Sequence, residues 1–214
     1  MSQQDLDYRR HQTPVADQGD RPTCASFAVT AAHEWMIGTQ TLLSQEFALW
    51  AAKARDGLAG EATHVSAVFM GITAEAQALD GAWPYGRPRW PAPPPKAAML
   101  RSAREQPGPW NHLPVCSLDA IEKALAVPSA VVLTIDFVPT AWLYATEGWV
   151  HAHAGAQTVG RHAVMAVGVR QRRSAVIIKN SWGDLWGHKG YGFVSKTYLH
   201  HYGVQAHVLE KRTT

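Results

Sequence analysis

Cysteine is scarce in this sequence. The 214 residues include two, Cys24 and Cys116. A small secreted domain held together by disulfides carries more, so the count favours a reducing compartment, and we expect the cytoplasm. A single Cys24–Cys116 bridge stays open as an alternative at this point.

Long apolar runs and a strong charge bias are also missing. No apolar stretch approaches the roughly 20 residues that cross a bilayer, and the N-terminal MSQQDLDYRRHQ is polar, so we expect neither a signal peptide nor a membrane partner. The net charge is only +3. The one tight basic cluster, Arg170, Arg172 and Arg173, is typical of a solvated hairpin turn, and we expect no nucleic-acid partner. With 46% hydrophobic and 17% charged residues, the chain is not disordered.

Helical periodicity dominates the first half of the chain. Apolar residues spaced by three and four predict a helix over 24–38, with Thr23 at its N-cap position. Further helices are expected from Ser44 to the stop at Gly57, and over 66–79. The segment 81–96, GAWPYGRPRWPAPPPK, contains six prolines and is expected to be an extended loop.

The second half changes period. After a short helix over 117–126, β-branched segments separated by turn residues predict five strands, at 130–135, 163–169, 175–179, 191–195 and 204–210. Helices followed by strands indicate an α+β fold with two packed lobes. We expect one domain over 1–214, with a helical lobe over about 13–112 and an antiparallel, barrel-like β lobe over about 113–214.

Cys24 is the first candidate for chemistry. It opens a predicted helix, where unpaired backbone N–H groups and the helix dipole favour a thiolate over a thiol. A cysteine in an apolar helix is more often a small buried hydrophobe, so this position alone decides little.

Three polar residues complete a set that supports a nucleophile. His162 opens an apolar strand 138 residues after Cys24 and can act as its base. Asn180 ends another strand and can orient the imidazole, and Gln18 can donate to an oxyanion together with the Cys24 backbone N–H. Taken one at a time, they read equally well as a core histidine, a turn cap and a polar loop residue.

His151 and His153 alternate and would share one face of a strand. With His162 they offer three nitrogens, the number of protein ligands typical of a catalytic zinc site. No Cys or carboxylate pattern supports such a site, so we expect no metal and no cofactor.

Three segments resemble a known family. TPVADQGDRPTCASFAV (13–29) resembles the nucleophile segment of papain-like cysteine peptidases. RHAVMAVGV (161–169) resembles their histidine strand, and VIIKNSWGDLWGHKGYGFVS (176–195) is similar to their Asn-Ser-Trp-Gly segment. The Cys-to-His and Cys-to-Asn separations of 138 and 156 residues fit this family as well.

The resemblance implies roles for individual residues. Cys24 would be the nucleophile, His162 the general base and acid, Asn180 the orienting residue and Gln18 the oxyanion donor. Substrate-binding residues would be Trp182, which shields the Asn180–His162 bond, Trp186 beside it, and Ala163 at the specificity pocket. The implied fold has a helical lobe and a β lobe with the active-site cleft between them.

Departures from the family pattern leave part of the site open. Ala25 stands where the family has Trp after the nucleophile. The Gly-Gly wall that binds substrate backbone is not recognisable, and residues 57–60 are the nearest candidates for it. No inhibitory prodomain is expected before Thr13.

The function that these residues and the resemblance imply is a thiol endopeptidase acting on a protein or peptide substrate. Another acyl transfer on the same triad (amidase, isopeptidase, deamidase or transglutaminase) is an alternative, and a catalytically silent binding scaffold is a second. The motif style resembles bacterial members, some of which are effectors or toxins. Control by an inhibitor or immunity protein, or by a fused delivery domain, is therefore expected.

Overall fold

Residues 5–38, 40, 42–170, 172 and 174–212 are described by the computed structural model. The helices are α1 (Cys24–Ile37), α2 (Gln45–Asp56), α3 (Val65–Glu75), α4 (Leu118–Leu125), α5 (Pro139–Leu143) and α6 (Lys196–Tyr202). The strands are β1 (Leu6–Asp7), β2 (Gln77–Ala78), β3 (Arg104–Glu105), β4 (Trp110–His112), β5 (Ser129–Asp136), β6 (Trp149–Val150), β7 (Arg161–Arg170), β8 (Ala175–Lys179), β9 (Tyr191–Ser195) and β10 (Gly203–Glu210). The predicted α+β class is confirmed.

The main sheet follows the order β4-β10-β5-β7-β8-β9-β6, and β1 also pairs with β7. The pairs are antiparallel except β6 with β9. All five predicted strands are present, extended by one or two residues at some ends. The predicted boundary between the lobes, at residues 112–113, falls where β4 leaves this sheet and stays a prediction.

Alternation along the central strands divides the core into two layers. One face of β5, β7 and β8 packs against α1 and α3, and the other packs against α4, α5 and α6. A bulge between Ala166 and Gly168 interrupts this alternation in β7. A Cβ on Gly168 would clash with the Leu6 carbonyl oxygen, so glycine is required for β1 to pair there.

Helix α3 ends earlier than the apolar pattern predicts. The predicted helix over 66–79 is wrong beyond Glu75, because the backbone turns at Ala76, whose φ is +57°. The side chain of Gln77 then enters the interior. It hydrogen-bonds the His33 ring at 2.8 Å, the Thr30 hydroxyl at 2.7 Å and the Ser44 carbonyl at 3.1 Å.

Thr23 lies at the N-cap position of α1, as predicted, but its side chain does not cap the helix. Its hydroxyl is hydrogen-bonded instead to the hydroxyl of Tyr85, at 2.7 Å. The Pro-rich segment over 81–96 is thereby fastened to the chain that leads into Cys24. Gly38 ends α1 in the left-handed conformation, with φ +67°.

Candidate active site

Cys24 and His162 meet at two adjoining cavities. Cys24 is the first residue of α1, and His162 is the second residue of β7. Both residues line a cavity of about 220 Å³ that also reaches Ala163, and a second of about 460 Å³ that reaches Gln18 and Trp182. The nucleophile and base predicted from the sequence are therefore brought together.

Asn180 fixes the ring of His162. It directly follows β8, the antiparallel neighbour of β7, and its Oδ1 lies 2.8 Å from His162 Nε2. The same Oδ1 accepts the backbone N–H of Ser181 at 2.9 Å, which identifies this atom as the carbonyl oxygen. Nε2 must therefore carry the proton. In the neutral ring Nδ1 is then an unprotonated base.

Aromatic rings enclose His162. Trp182 stacks on its ring at 4.9 Å between centroids, and Trp142 meets it edge-on at 5.1 Å. Burial lowers the pKa of His162 to about 4, although the hydrogen bond to Asn180 acts in the opposite direction.

Trp142 is a residue that the sequence reasoning missed. It is fully buried in α5, and its Nε1 donates to the hydroxyl of Tyr198 at 2.9 Å. Trp186 stacks on Trp142 at 5.8 Å and donates to its carbonyl oxygen at 3.0 Å. Trp186 therefore supports the rings around His162 from behind and lines neither cavity at Cys24.

The thiol of Cys24 is held in a mostly buried setting. Burial raises its pKa, and the backbone N–H groups of Ala163, Ala25 and Cys24 itself lower it. Burial thus disfavours a thiolate or an imidazolium taken alone. A proton moved from Sγ to His162 creates both charges within one site and no net charge, so the pair is favoured over either ion by itself.

Gln18 is linked to the Asn180 side of the site by hydrogen bonds. Its Oε1 accepts the Ser181 hydroxyl at 2.6 Å, and its backbone N–H donates to the Ser181 carbonyl at 2.9 Å. Its Nε2 donates to the Arg21 carbonyl at 2.6 Å, which leaves the second N–H of the amide for a ligand in the cavity. Ser181 was not singled out from the sequence, although it lies inside the recognised Asn-Ser-Trp-Gly segment.

The cavity beside Ala163 extends along residues 63–66 and reaches Thr134, Val204 and Gln205. Thr63 and His64 line both cavities and are therefore the candidates for a substrate-binding wall. The expected glycines at 57 and 60 do not line either cavity, and only Leu58 of that segment does.

The structure also bears on two other hypotheses from the sequence, the Cys24–Cys116 disulfide and a zinc site at the histidines. Both cysteines are free thiols, so the Cys24–Cys116 bridge is wrong. His151 stacks on Trp149, and within the described ranges no group of three His, Cys, Asp or Glu side chains is arranged to hold a metal ion.

The basic cluster is only partly a turn. Arg170 ends β7, and its guanidinium lies over the Phe193 ring at 5.2 Å, while Arg172 is exposed. Arg173 lies outside the described residues. Throughout the described residues, each helix is too short or too polar to cross a membrane.

Comparison with solved structures places the fold among papain-like cysteine proteases. Xylellain, a cysteine protease from Xylella fastidiosa, superposes with a TM-score of 0.81 at 18% identity, over 98% of this chain and 86% of that one. The Carica candamarcensis protease CMS1MS2, solved in complex with E-64, gives a TM-score of 0.79 at 20% identity, over 98% and 99% of the two chains.

The sequence then identifies the family. The model of the papain family of cysteine proteases matches residues 2–211, and this chain belongs to that family. Cathepsin K from Gallus gallus is 28% identical over 89% of this chain, and cathepsin K from Mus musculus is 27% identical over the same share. The chain spans somewhat under 60% of the length of these curated relatives, at 58% and 59%.

Proposed function

We propose that this chain is a cysteine endopeptidase whose nucleophile is Cys24. The observation that carries the proposal is the fixed ring of His162, whose Nε2–H is held by Asn180 while Nδ1 stays unprotonated, in a residue that lines the same two cavities as Cys24. Family membership and the cavities shared by the two residues support the same assignment.

The first half-reaction forms a thioester. The Cys24 proton moves to His162 Nδ1, and Sγ attacks the carbonyl carbon of the scissile peptide. Gln18 Nε2 and the Cys24 backbone N–H hold the resulting oxyanion. The imidazolium then gives its proton to the leaving nitrogen, the C–N bond breaks, and the amine product departs.

The second half-reaction is hydrolysis. His162 removes a proton from a water molecule, which attacks the thioester carbon. The C–S bond breaks, and His162 returns the proton to Cys24 as the carboxylic product leaves. Trp182 covers the His162 ring, and a hydrogen bond shielded from water in this way is stronger.

The substrate of this enzyme, its cellular compartment and its control are also proposals. We propose a protein or peptide substrate, with Trp182 and Ala163 contacting it and Trp186 acting through Trp182. The two free thiols support a reducing compartment such as the cytoplasm. A role as a bacterial effector, a specific target, and control by an inhibitor, immunity protein or fused domain stay predictions from the sequence.

The decisive experiment compares two thiols within one molecule. Burial raises the pKa of Cys116 to about 11, so only about 1 in 10⁴ molecules carries its thiolate at pH 7. We expect iodoacetamide to alkylate Cys24 at least about 100-fold faster than Cys116, and His162→Ala to remove most of this difference. Peptide-mapping mass spectrometry gives both rates.

Product analysis separates the proposal from its alternatives. Wild-type protein should cleave peptides to free carboxylates, and Cys24→Ala should be inactive. Amine-linked products would indicate a transferase, and release of ammonia from side-chain amides a deamidase. Equal alkylation rates without any product would indicate a binding scaffold. New N-termini in cells expressing wild type but not Cys24→Ala would name the targets.

A further inference from the structure

Arg161 stands where the two cavities at Cys24 meet. It is the first residue of β7, directly before His162, and its side chain is 62% exposed. It lines both the cavity of about 220 Å³ beside Ala163 and the cavity of about 460 Å³ beside Trp182. A substrate lying across the thiol in either direction passes this residue.

Carboxylates do not balance this charge inside the cleft. Among the described residues that line the two cavities, none is Asp or Glu. Glu61, close to the wall over 62–66, is held by Arg21 at 2.7 Å and by Arg89 at 2.5 Å. Arg161 therefore provides a permanent positive charge that a ligand in the cleft meets without an opposing acid in the lining.

The one ion pair that Arg161 forms with a described residue leaves most of its donors available. Asp136, its cross-strand partner on β5, accepts from Nε at the long distance of 3.4 Å, and both side chains are more than a third exposed. Across the described chain, no hydrogen bond engages the two terminal amino groups of the guanidinium. These groups form the planar fork that binds a carboxylate through two parallel hydrogen bonds.

The cavity beside Ala163 mixes neutral hydrogen-bonding side chains with apolar ones such as Val65 and Val204. Thr134, Ser66 and Gln205 line this cavity. The Gln205 amide Nε2 lies 2.9 Å from His112 Nδ1. The hydroxyl and amide groups among them can hydrogen-bond a polar substrate side chain.

We propose that Arg161 determines specificity and that the preferred substrates carry Asp or Glu within two residues of the scissile bond. The proposal rests on the proposed peptidase function and adds the chemical class of its substrate. The substrate carboxylate would accept from the terminal amino groups of Arg161, in competition with the weak contact to Asp136.

The test uses matched peptides in which each of the four positions around the scissile bond is Ala, Asp, Glu or Lys. We expect kcat/KM to be about fivefold higher for the acidic peptide at one or more positions, a size suited to a charge-assisted contact in a solvent-exposed site. Arg161→Gln should abolish this preference, Arg161→Lys should keep part of it, and Arg161→Glu should favour Lys. Asp136→Asn should increase the preference, because it removes the competing carboxylate.

Arg172→Gln is the matched control. Arg172 lies beyond the far end of the ten-residue strand β7, on the order of 30 Å from Arg161, and is exposed. Its substitution removes the same charge and should leave the preference unchanged. Should Arg161→Gln fail to fold, raising the ionic strength of the wild type from about 0.05 M to 0.5 M should bring the acidic-to-neutral ratio towards one.

The outcomes separate this inference from the peptidase assignment. Cleavage of neutral and acidic peptides at equal rates, or an acidic preference that survives in Arg161→Gln, overturns the role of Arg161 and leaves the peptidase intact. If no peptide is cleaved, the peptidase proposal fails. Calorimetric binding of the same peptides to Cys24→Ala then decides whether Arg161 selects acidic ligands: equal binding overturns the inference.

Discussion

Two hydrogen bonds to a single oxygen assign the protonation of the His162 ring, on which the proposed chemistry depends. Asn180 Oδ1 receives two donors, the backbone N–H of Ser181 and Nε2 of His162, so its neighbours determine which nitrogen is the base. The enclosing tryptophans supply the second control, because they remove water from around the ring. The hydrogen bond to Asn180 thus sets which nitrogen of His162 carries the proton, and the packed tryptophans set the pKa of the ring.

Substitution of Trp182 should shift the acidic limb of activity. Burial is the main cause of the lowered pKa of His162, about 4. Trp182→Ala admits water, so we expect the low-pH limb of kcat/KM to move up towards the ordinary histidine value of about 6.5. Activity would then be lost at a higher pH as the solution is acidified. A pH profile with one peptide substrate measures the shift.

Trp110→Ala is the control for this experiment. Its ring stacks on Phe69 at 5.2 Å and has no ring contact with His162 among the described residues. Like Trp182→Ala, the Trp110→Ala substitution removes a large, partly buried aromatic side chain. An acidic limb that stays near pH 4 in Trp182→Ala would contradict the assigned cause of the low pKa.

At the scale of elements, a buried arginine joins α2 to the segment that precedes Cys24. Arg21 donates to both carboxylate oxygens of Glu46, at 2.6 and 2.9 Å. Glu46 also accepts the backbone N–H groups of Gly86, at 2.8 Å, and Trp90, at 2.6 Å. Helix α2, the loop containing Gln18 and the Pro-rich segment are therefore held by one carboxylate.

Removal of that carboxylate should be costly. Glu46 is fully buried, and Glu46→Ala removes the main partner of the buried Arg21 charge. We expect the free energy of unfolding to fall by about 3–5 kcal/mol, measured by urea denaturation. Glu75→Ala is the matched control, because it breaks the more exposed pair with Arg55 and should cost under about 1 kcal/mol. Similar losses in the two variants would contradict a structural role for Glu46.

At the scale of the whole molecule, the ion pairs of Glu61 make the stability of the fold depend on pH. Hydrogen bonds from Arg89 and Arg21 lower the pKa of Glu61 from 4.5 to about 2. Because the folded pKa is the lower one, Glu61 stabilises the fold fully above pH 4.5, and this contribution is lost as the pH falls towards 2.

Glu61→Gln should therefore matter at neutral pH and little in acid. We expect its melting temperature to be several degrees below that of the wild type at pH 7. The two proteins should converge as the pH falls to about 2 and below. Thermal melts followed by circular dichroism at a series of pH values test this, and a constant difference across the series would exclude the linkage.

The longer strands, the first four helices and the residues of the proposed triad follow from the sequence itself, whereas helices α5 and α6 and the short strands β1–β4 and β6 were not predicted. Strands β8 and β9 have the bounds that their β-branched runs predict, and α1 begins and ends where its periodicity and Gly38 indicate. Cys24, His162 and Asn180 each stand at an element terminus, which a local pattern can reveal. Their motifs also carry the family resemblance, since each motif is contiguous in the chain.

Partners distant in the chain were decided only by the tertiary structure. Trp142 contacts His162 because α5 packs beside the start of β7, and no local pattern distinguishes it from the other tryptophans. Gln77 leaves a helical pattern because buried groups of α1 and the residue before α2 accept its amide, which overrides local propensity. Arg161 lines both cavities because the packing of separate elements brings the start of β7 together with Cys24 of α1 and the wall over 62–66. Periodicity specifies which face of an element is buried. Which side chain of another element packs against that face depends on how the separate elements pack.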